Sequence, residues 1–382
     1  MTIEHYDLHQ FKPKGYPVRH KRKVPFDPKI ESPRDFARRA RRIKELDLEL
    51  DRFVLSEKDY LDLVIDAYSS NVHWSTKIEG NPLSEAEVRT VTTSTFRGQF
   101  DEKAPGPRQE IVNHLVCLVF PEEFHLPWDD ELVRRVHRYL LKGVVRGWKP
   151  GTYRTERASI QSSEGQELFV PAPPTSVAEE MLSLMDWVNR RAPAYDPVVA
   201  ATVMFHEFES IHPFGDGNGR VGRSLFHLFL QSSGLHYSHL CKIDRDLLSQ
   251  GELYYQLLAY TDDTGSYREL VDLVSESVLK SYEDAHRLLS EKDLLSSDLD
   301  EAAKRLLRMA RRHTAWFSVA EATGWIGSVG EQTVRKRLNQ LEEIGALEKK
   351  GRTKSCRFRM SRPLAGIRER LQPLRDKALQ GR

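Results

Sequence analysis

The chain holds 382 residues, 39% of them hydrophobic and 30% charged, with a formal net charge of +2, a balance that supplies a core and a solvated surface and excludes a wholly disordered chain. Its length predicts two or three domains, and no apolar run approaches the roughly 18 residues of a membrane span; the longest candidate is His114 to Phe120. Three widely spaced cysteines, Cys117, Cys241 and Cys356, argue against a disulfide scaffold or Cys-rich zinc site and for a reducing, cytoplasmic setting. Met1 to His5 lack the charged head and apolar stretch of a signal peptide.

Residues 1 to about 30 are rich in Pro and basic side chains (Lys12, Lys14, Arg19, Lys21, Arg22, Lys23). They read as an extended arm, either solvated and packed loosely on the body or touching nucleic acid. A charged helix is expected at 33–52. From Asp59 to Ile78 the apolar positions Leu61, Ile65, Tyr68 and Val72 predict another, stopped at Asn81-Pro82 because Pro lacks a donor and restricts its predecessor. Ser84-Glu85-Ala86-Glu87 is a capping box that restarts a helix. Beyond the breaker Ala104-Pro105-Gly106-Pro107, helices are expected at 109–119, 129–146, 176–190 and 197–211. Between the second and third of these, short β-prone pieces from Gly151 to Pro174 predict a hairpin or flap. More helices follow at 219–233, 246–261 and 266–290. Ser296-Ser297-Asp298 reads as a linker, and 300–362 as a separate small domain. The expected fold is mostly α, with a β-hairpin flap and a C-terminal α/β module.

The most informative stretch runs from Ser210 to Arg223. Gly217, Asn218 and Gly219 allow backbone dihedrals that turn successive amides inward as an anion nest. The helix that starts there adds free N–H groups and the positive end of its dipole, so the turn is a phosphate cradle. Arg220 and Arg223, three apart, both reach a polyphosphate from the first turns. Asp216 is an oxygen ligand where a Mg²⁺ bridging phosphates would sit. His212 is of the one side-chain type that ordinarily titrates near neutrality, and it can take a proton from an incoming hydroxyl. Gly217, Gly219 and Gly222 also spell Gly-x-Gly-x-x-Gly, but a dinucleotide fold needs a preceding strand, and 198–211 reads as a helix. His206 and His212, six apart, do not share a helix face as a metal pair would, so His206 reads as a core or supporting histidine.

The run His212-Pro213-Phe214-Gly215-Asp216-Gly217-Asn218-Gly219-Arg220-Val221-Gly222-Arg223 resembles the signature of the Fic family, HxFx(D/E)GNGRxxR, at every defined position. The resemblance covers roughly residues 60–290. It implies transfer of AMP from ATP to a Ser, Thr or Tyr hydroxyl of a target protein, itself included, with release of pyrophosphate. It implies His212 as general base, Asp216 as Mg²⁺ ligand, and Gly217, Asn218 and Gly219 as the anion hole. Arg220 would hold the phosphates, Arg223 the γ-phosphate, and Phe214 would anchor the loop. Relatives that use ATP as a phosphoryl donor carry Lys where this chain has Gly219, which favours nucleotidyl transfer. The resemblance also makes Gly151–Val170 a target-docking flap, with Tyr153, Ser159 and Ile160 in it; a plain surface hairpin is the alternative. Tyr254-Tyr255-Gln256-Leu257-Leu258 resembles an element near the adenine, so Tyr255 would bind ATP there or simply pack.

Trp74 to Asn81 resembles the family's inhibitory motif, (S/T)xxxE(G/N), through Ser75 and Glu79, i and i+4 on one helix face. Placed upstream of the core, it implies a class II member in which Glu79 pairs with Arg223 and competes with a polyphosphate. The elements at 301–362 resemble a winged helix, and ten Lys or Arg against four Glu in 331–362 give a net of +6, which suits DNA or protein docking. The expected organisation is a basic arm and helix (1–55), a helical region with the inhibitory motif (56–110), a Fic core (111–292) and a winged helix (300–365). The expected function is an autoinhibited protein adenylyltransferase. The alternatives are a DNA-binding regulator with the core as nucleotide sensor, or a de-AMPylating or bifunctional enzyme.

Overall fold

The computed structural model describes residues 13–99, 106–144, 149–162, 164–313, 315–327, 329–352 and 355–379. Lys12, Ala104-Pro105, the end of the expected 129–146 helix and Lys354 lie outside the described residues. Strand β1 (Val18–Arg19) precedes helices α1 (Phe36–Leu50), α2 (Glu57–Lys77), α3 (Glu85–Phe96), α4 (Gly106–Val119) and α5 (Asp130–Leu141). Next come β2 (Ile160–Gln161), β3 (Glu167–Val170), α6 (Val177–Arg190), α7 (Pro197–Ile211), α8 (Asn218–Ser232), α9 (Ile243–Leu248), α10 (Glu252–Thr264) and α11 (Arg268–Glu291). The last described elements are α12 (Glu301–Arg312), β4 (Phe317–Ser318), α13 (Val319–Ile326), α14 (Glu331–Glu343), β5 (Leu347–Lys350), β6 (Arg357–Met360) and α15 (Pro363–Leu379).

Helix α7 is buried on nearly every side, from Val198 to Ile211, as expected of a helix apolar all round its axis. Asp196 caps it by accepting from the Val198 amide at 3.0 Å, with Pro197 at its first position. Helix α8 packs beside it, and Phe205 meets Phe226 edge to face across the two. Around this pair lie α2, α4, α5 and α6, closed by rings such as Trp128 against Phe229. Each fully buried large side chain contributes roughly 1.5–3 kcal/mol relative to exposure. The capping box forms as the sequence predicts: the Glu87 amide donates to Ser84 Oγ, and the Ser84 amide to Glu87 Oε2.

Three differences from the sequence expectation have physical causes. First, the described part of the arm is not packed loosely. Val18 and Phe26 are buried, and β1 pairs parallel with β3 in the order β1-β3-β2. Arg22 pairs with Glu179, and Lys23 with Glu207 at 3.0 Å, so these two cations meet protein carboxylates. Second, the helix expected at 246–261 is two, α9 and α10, split at Gly251, whose φ of 53° breaks the run. Third, the residues from Phe317 to Gly324 read in the sequence as a short helix and turn, but Phe317–Ser318 is a strand, because it pairs antiparallel with Arg357–Phe358 of β6.

A second, smaller core gathers Leu306, Phe317, Val334, Leu338, Leu347 and Phe358 from α12, α14 and a three-stranded sheet ordered β4-β6-β5. On β6, Phe358 faces this core while Arg357 and Arg359 face out to Glu321 and Glu348. Val54, just before α2, belongs to the same small core, and the Glu57 amide donates to the Gly345 carbonyl at 2.8 Å. Helix α15 then returns to the main body, where Ile367 and Leu371 are fully buried against α2, α3 and α4.

Candidate active site

Helix α7 ends at Ile211, and His212 caps it in a left-handed conformation, φ 53° and ψ 62°. The chain then turns tightly into α8. Asn218 closes that turn with both ends of its amide: Nδ2 donates to the Phe214 carbonyl and Oδ1 accepts from the Phe214 amide, each at 2.8 Å. Gly217, with φ 81°, begins α8; a Cβ there would lie 2.5 Å from Leu141 Cδ1, so only glycine fits. Phe214 is fully buried and stacks on His137 at 3.8 Å, which fixes the loop to α5. His137 accepts from the Gly151 amide on Nδ1, which leaves its proton on Nε2 for the Asp216 carbonyl at 3.0 Å. Burial pushes the His137 pKa down to about 4, so the ring stays neutral in this role.

The charged residues converge on the first turns of α8. Arg220 pairs with buried Glu110 and, at 2.7 Å, with Asp216. Arg223 donates from Nε to Ser75 Oγ at 2.8 Å, and from Nη2 to the Ser75 carbonyl and to Glu79 Oε1 at 2.7 Å. Burial disfavours the Arg223 charge, but Glu79, Tyr254 and Glu209 outweigh it and hold the pKa above its ordinary value. The Glu79 carboxylate lies against Gly219, where a Cβ would collide with its Oε1. An acidic group therefore already sits at the helix N-terminus that suits an anion. Glu79 is not on the helix face the spacing suggests: α2 ends at Lys77, and Glu79 lies in the turn beyond it. Gly80, with φ 90°, and Pro82 end the helix there, which leaves the Ser75 carbonyl for Arg223.

Burial pushes the His212 pKa down to about 4, with the Glu209 carbonyl, Glu79 and Asp216 pulling upward. The imidazole is therefore neutral at neutral pH. Glu209, one turn earlier on α7, has an Oε1 with no surface and no hydrogen-bond partner among the described residues. Burial pushes its carboxyl pKa up to about 8, against the pull of Arg223. Asp216 Oδ1 accepts from the Gly217 amide and from Arg220, while its side chain stays 46% exposed. One accessible hard oxygen beside a phosphate cradle fits Mg²⁺, which keeps several waters and takes one or two carboxylates plus phosphate oxygens. A second cluster of ligand types, His20, Glu180 and Glu207, lies under the arm, but there Lys23 Nζ already supplies a cation to Glu207.

The flap joins the loop at its base. Tyr153 bridges Phe214 across the backbone, and its ring lies under Arg134 while its hydroxyl donates to Asp130. Ser159 is half-buried and accepts from Gln161. Ile160 is 41% exposed on β2, one of the two outer strands of the sheet. Tyr255 is 52% exposed on α10, close enough to Arg223 and Glu79 to feel both, with Tyr254 buried beneath it. His206 instead faces the Leu258 carbonyl at 3.1 Å, and a helix precedes Gly217, which removes the dinucleotide reading. A cavity of about 710 Å³ lined by Tyr60, His236, His239 and Arg368 shares no residue with this loop. Glu110, His137, Arg154 and Glu209 are the loop's unforeseen neighbours; only Arg154, beside Tyr153 in the flap pattern, carried any signal in the sequence.

A neutral imidazole, a glycine-rich turn into a helix N-terminus and two buried arginines meet at one loop, an arrangement suited to an anion. The pattern of the Fic/DOC family matches residues 127–230. A Fido domain-containing protein of Dictyostelium discoideum is 32% identical over 148 residues, covering 37% of this chain and 96% of its own length. The chain belongs to the Fic/DOC family. Protein adenylyltransferase fic-1 of Caenorhabditis elegans is 26% identical over 244 residues, 61% of this chain and 44% of that protein; its Caenorhabditis briggsae counterpart is 28% identical over 176 residues. The chain spans a third to less than half the length of these two relatives. Among solved structures, a Fic family protein from Desulfovibrio desulfuricans G20 shares the fold, with a TM-score of 0.58 at 22% identity over 88% of this chain and 98% of that one.

Proposed function

We propose that this protein is a protein adenylyltransferase that moves AMP from ATP to a Ser, Thr or Tyr hydroxyl. The observation that carries the reading is the convergence of His212, the α8 N-terminus, Arg220 and Arg223 on one tight loop. The names of the Caenorhabditis relatives support it. In the reaction the target oxygen bonds to the α-phosphorus, the bond from that phosphorus to the α–β bridging oxygen breaks, and pyrophosphate leaves. The hydroxyl proton passes to His212, whose neutral ring accepts it as positive charge develops. Amides of Gly217, Asn218 and Gly219 and the guanidinium of Arg220 hold phosphate oxygens, Arg223 takes the γ-phosphate, and Tyr255 lines the nucleoside side. Asp216 would hold Mg²⁺, which neutralises phosphate charge in such sites. Positioning and charge stabilisation are the main source of rate. The open edge at Ile160, with Tyr153 and Ser159 behind it, suits an extended target segment adding to β2.

Glu79 and Ser75 act as a brake in this reading, the class II arrangement, because a γ-phosphate and the Glu79 carboxylate compete for Arg223. The three-helix, three-stranded C-terminal unit we read as a winged helix. Several of its outward cations already pair with carboxylates, Arg335 with Glu331 and Arg357 with Glu321 among them, which weakens the case for DNA over a protein partner. Buried, unpaired Cys117, Cys241 and Cys356 support a reducing, cytoplasmic setting. No described helix is long and apolar enough to cross a membrane.

The test is labelling by ATP carrying ³²P at either the α or the γ position, with Mg²⁺ present. The Glu79→Gly protein should take up α-label, on itself or a lysate protein, well above wild type, and Glu79→Gly with His212→Ala should not. Uptake of γ-label instead would make the protein a kinase. DNA retention without any label would favour the regulator reading.

A further inference from the structure

We propose that Arg154 is the positioning residue that sets the backbone of His212 and locks the flap and the catalytic loop together, an inference that rests on the adenylyl-transfer reading for its kinetic consequence only. His212 is the one non-glycine residue among those described with a positive φ. Side chains rarely adopt that conformation, and it persists only where the surroundings enforce it. The last carbonyls of α7 also lack intrahelical donors.

A single guanidinium answers both needs. Arg154 Nε donates to the His212 carbonyl at 2.7 Å, and Nη2 donates to the Ile211 carbonyl at 3.2 Å. The Arg154 amide donates to the Pro213 carbonyl at 3.0 Å. Three successive carbonyls of the loop thus end on one residue. The same side chain reaches the flap on both sides: Nη1 donates to the Glu156 carbonyl before β2, and Nη2 to the Ala172 carbonyl after β3.

Arg154 is 4% exposed, and burial rather than any carboxylate acts on its charge among the described residues. A buried cation spent wholly on carbonyls is costly unless every donor is used. Its place at a helix C-terminus, where the dipole favours positive charge, offsets part of that cost. Lysine cannot replace it, because one ammonium lacks the planar fork that spans carbonyls on two segments.

The groups that act electrostatically on the buried His212 ring are the Glu209 carbonyl, Arg154, Glu79 and Asp216, while its Nδ1 has no hydrogen-bond partner among the described residues. Arg154 is the nearby cation that disfavours the protonated ring, so a difference between the Gln and Lys variants in the ring's midpoint reports the charge, which exposure of the ring alone would move equally in both.

The experiment uses the full chain with Glu79→Gly, alone and with Arg154→Lys or Arg154→Gln. The maximal self-labelling rate should fall on the order of 10²-fold while the half-saturating ATP concentration changes by less than about threefold. In parallel, NMR titration of the His212 ring should show its midpoint shifted upward in Arg154→Gln, which removes the cation, and much less in Arg154→Lys, which keeps it, a readout independent of any transfer. In unmutated protein the Arg154 Nε proton should exchange slowly with solvent, which covers the case of variants that fail to fold. A full rate with an unshifted ring would overturn the proposal, as would rapid exchange of that proton. A half-saturating ATP concentration rising in step with the loss of rate would also overturn it, by assigning Arg154 to nucleotide binding. If Glu79→Gly takes up no label at all, the transfer reading fails while the exchange of the Arg154 Nε proton still decides the positioning role.

Discussion

Arg223 and Glu79 meet at 2.7 Å across 144 residues of chain, and the arginine side chain is only 6% exposed. Removing one partner of a buried pair leaves an uncompensated charge, which costs about 3–5 kcal/mol; here Ser75 still accepts from Arg223, so the lower end applies. Glu79→Ala should therefore lower the thermal unfolding midpoint. ATP with Mg²⁺ should then raise that midpoint more in the variant than in wild type, because the γ-phosphate supplies the missing anion. Equal ATP-induced shifts in the two proteins would mean that Glu79 and the nucleotide do not compete.

The contact between Glu79 and Gly219 predicts a second coupling. Gly219 has no positive φ, so alanine there would ordinarily gain up to about 1 kcal/mol of helix propensity. Its Cβ, however, would collide with Glu79 Oε1 and come within 2.8 Å of Arg223 Nη1. Gly219→Ala should destabilise wild type but cost much less with Glu79→Gly present. Urea unfolding of the four proteins should give a coupling of about 0.5–3 kcal/mol. Identical costs in both backgrounds would show that the helix turn does not feel the carboxylate.

Acid and base should erode stability by separate routes. Burial pushes His137, His212 and His239 down to about 4, and His114 to about 3, from 6.5. Over that window the unfolded chain binds protons that the folded chain refuses, so stability should rise as pH climbs from about 4 to 6.5. Glu209 works the other way. Its folded pKa of about 8 stands above 4.5, so the folded protein keeps a proton the unfolded chain has lost, and stability should fall between those values as pH rises. Above about pH 6.5 the histidine contribution is complete, and a decline toward pH 8 should remain. Thermal midpoints from pH 4 to 8.5 test both limbs, and Glu209→Gln should abolish the upper decline while leaving the lower climb intact.

The loop from His212 to Arg223 was legible from sequence because its chemistry is contiguous: turn glycines, a helix start and charged groups follow one another in the chain. The helices were legible because apolar spacing and caps such as Ser84 and Glu87 act locally. Glu110 and His137 were not, because packing alone brings them to the loop, with Arg220 and Glu110 110 residues apart; Arg154 showed in the flap pattern beside Tyr153, but its bonds to His212, 58 residues on, did not. The arm misleads for the same reason. Its lysines and arginines are visible as a charge run, but the acids they meet stand more than 150 positions away. Only the folded chain shows that Arg22 and Lys23 are paired internally.

Helix α15 makes the strongest stability prediction. Pro373 and Gly366 weaken any helical pattern there, yet Ile367 and Leu371 are completely buried in the principal core. Arg370 Nε donates to the Phe96 carbonyl at 2.7 Å and Arg368 Nε to the Val119 carbonyl at 2.9 Å, which supplies donors at the ends of α3 and α4. The segment therefore staples the region holding α2, whose far end carries Ser75. Leu371→Ala should cost about 2–5 kcal/mol, the range for a large buried side chain replaced without collapse of its cavity. The loss should appear in the main unfolding transition rather than in one confined to the small C-terminal core, because Leu371 packs with the former. Near-wild-type stability would mean that α15 is dispensable, and hydrogen exchange across α3 and α4 would then be unchanged as well.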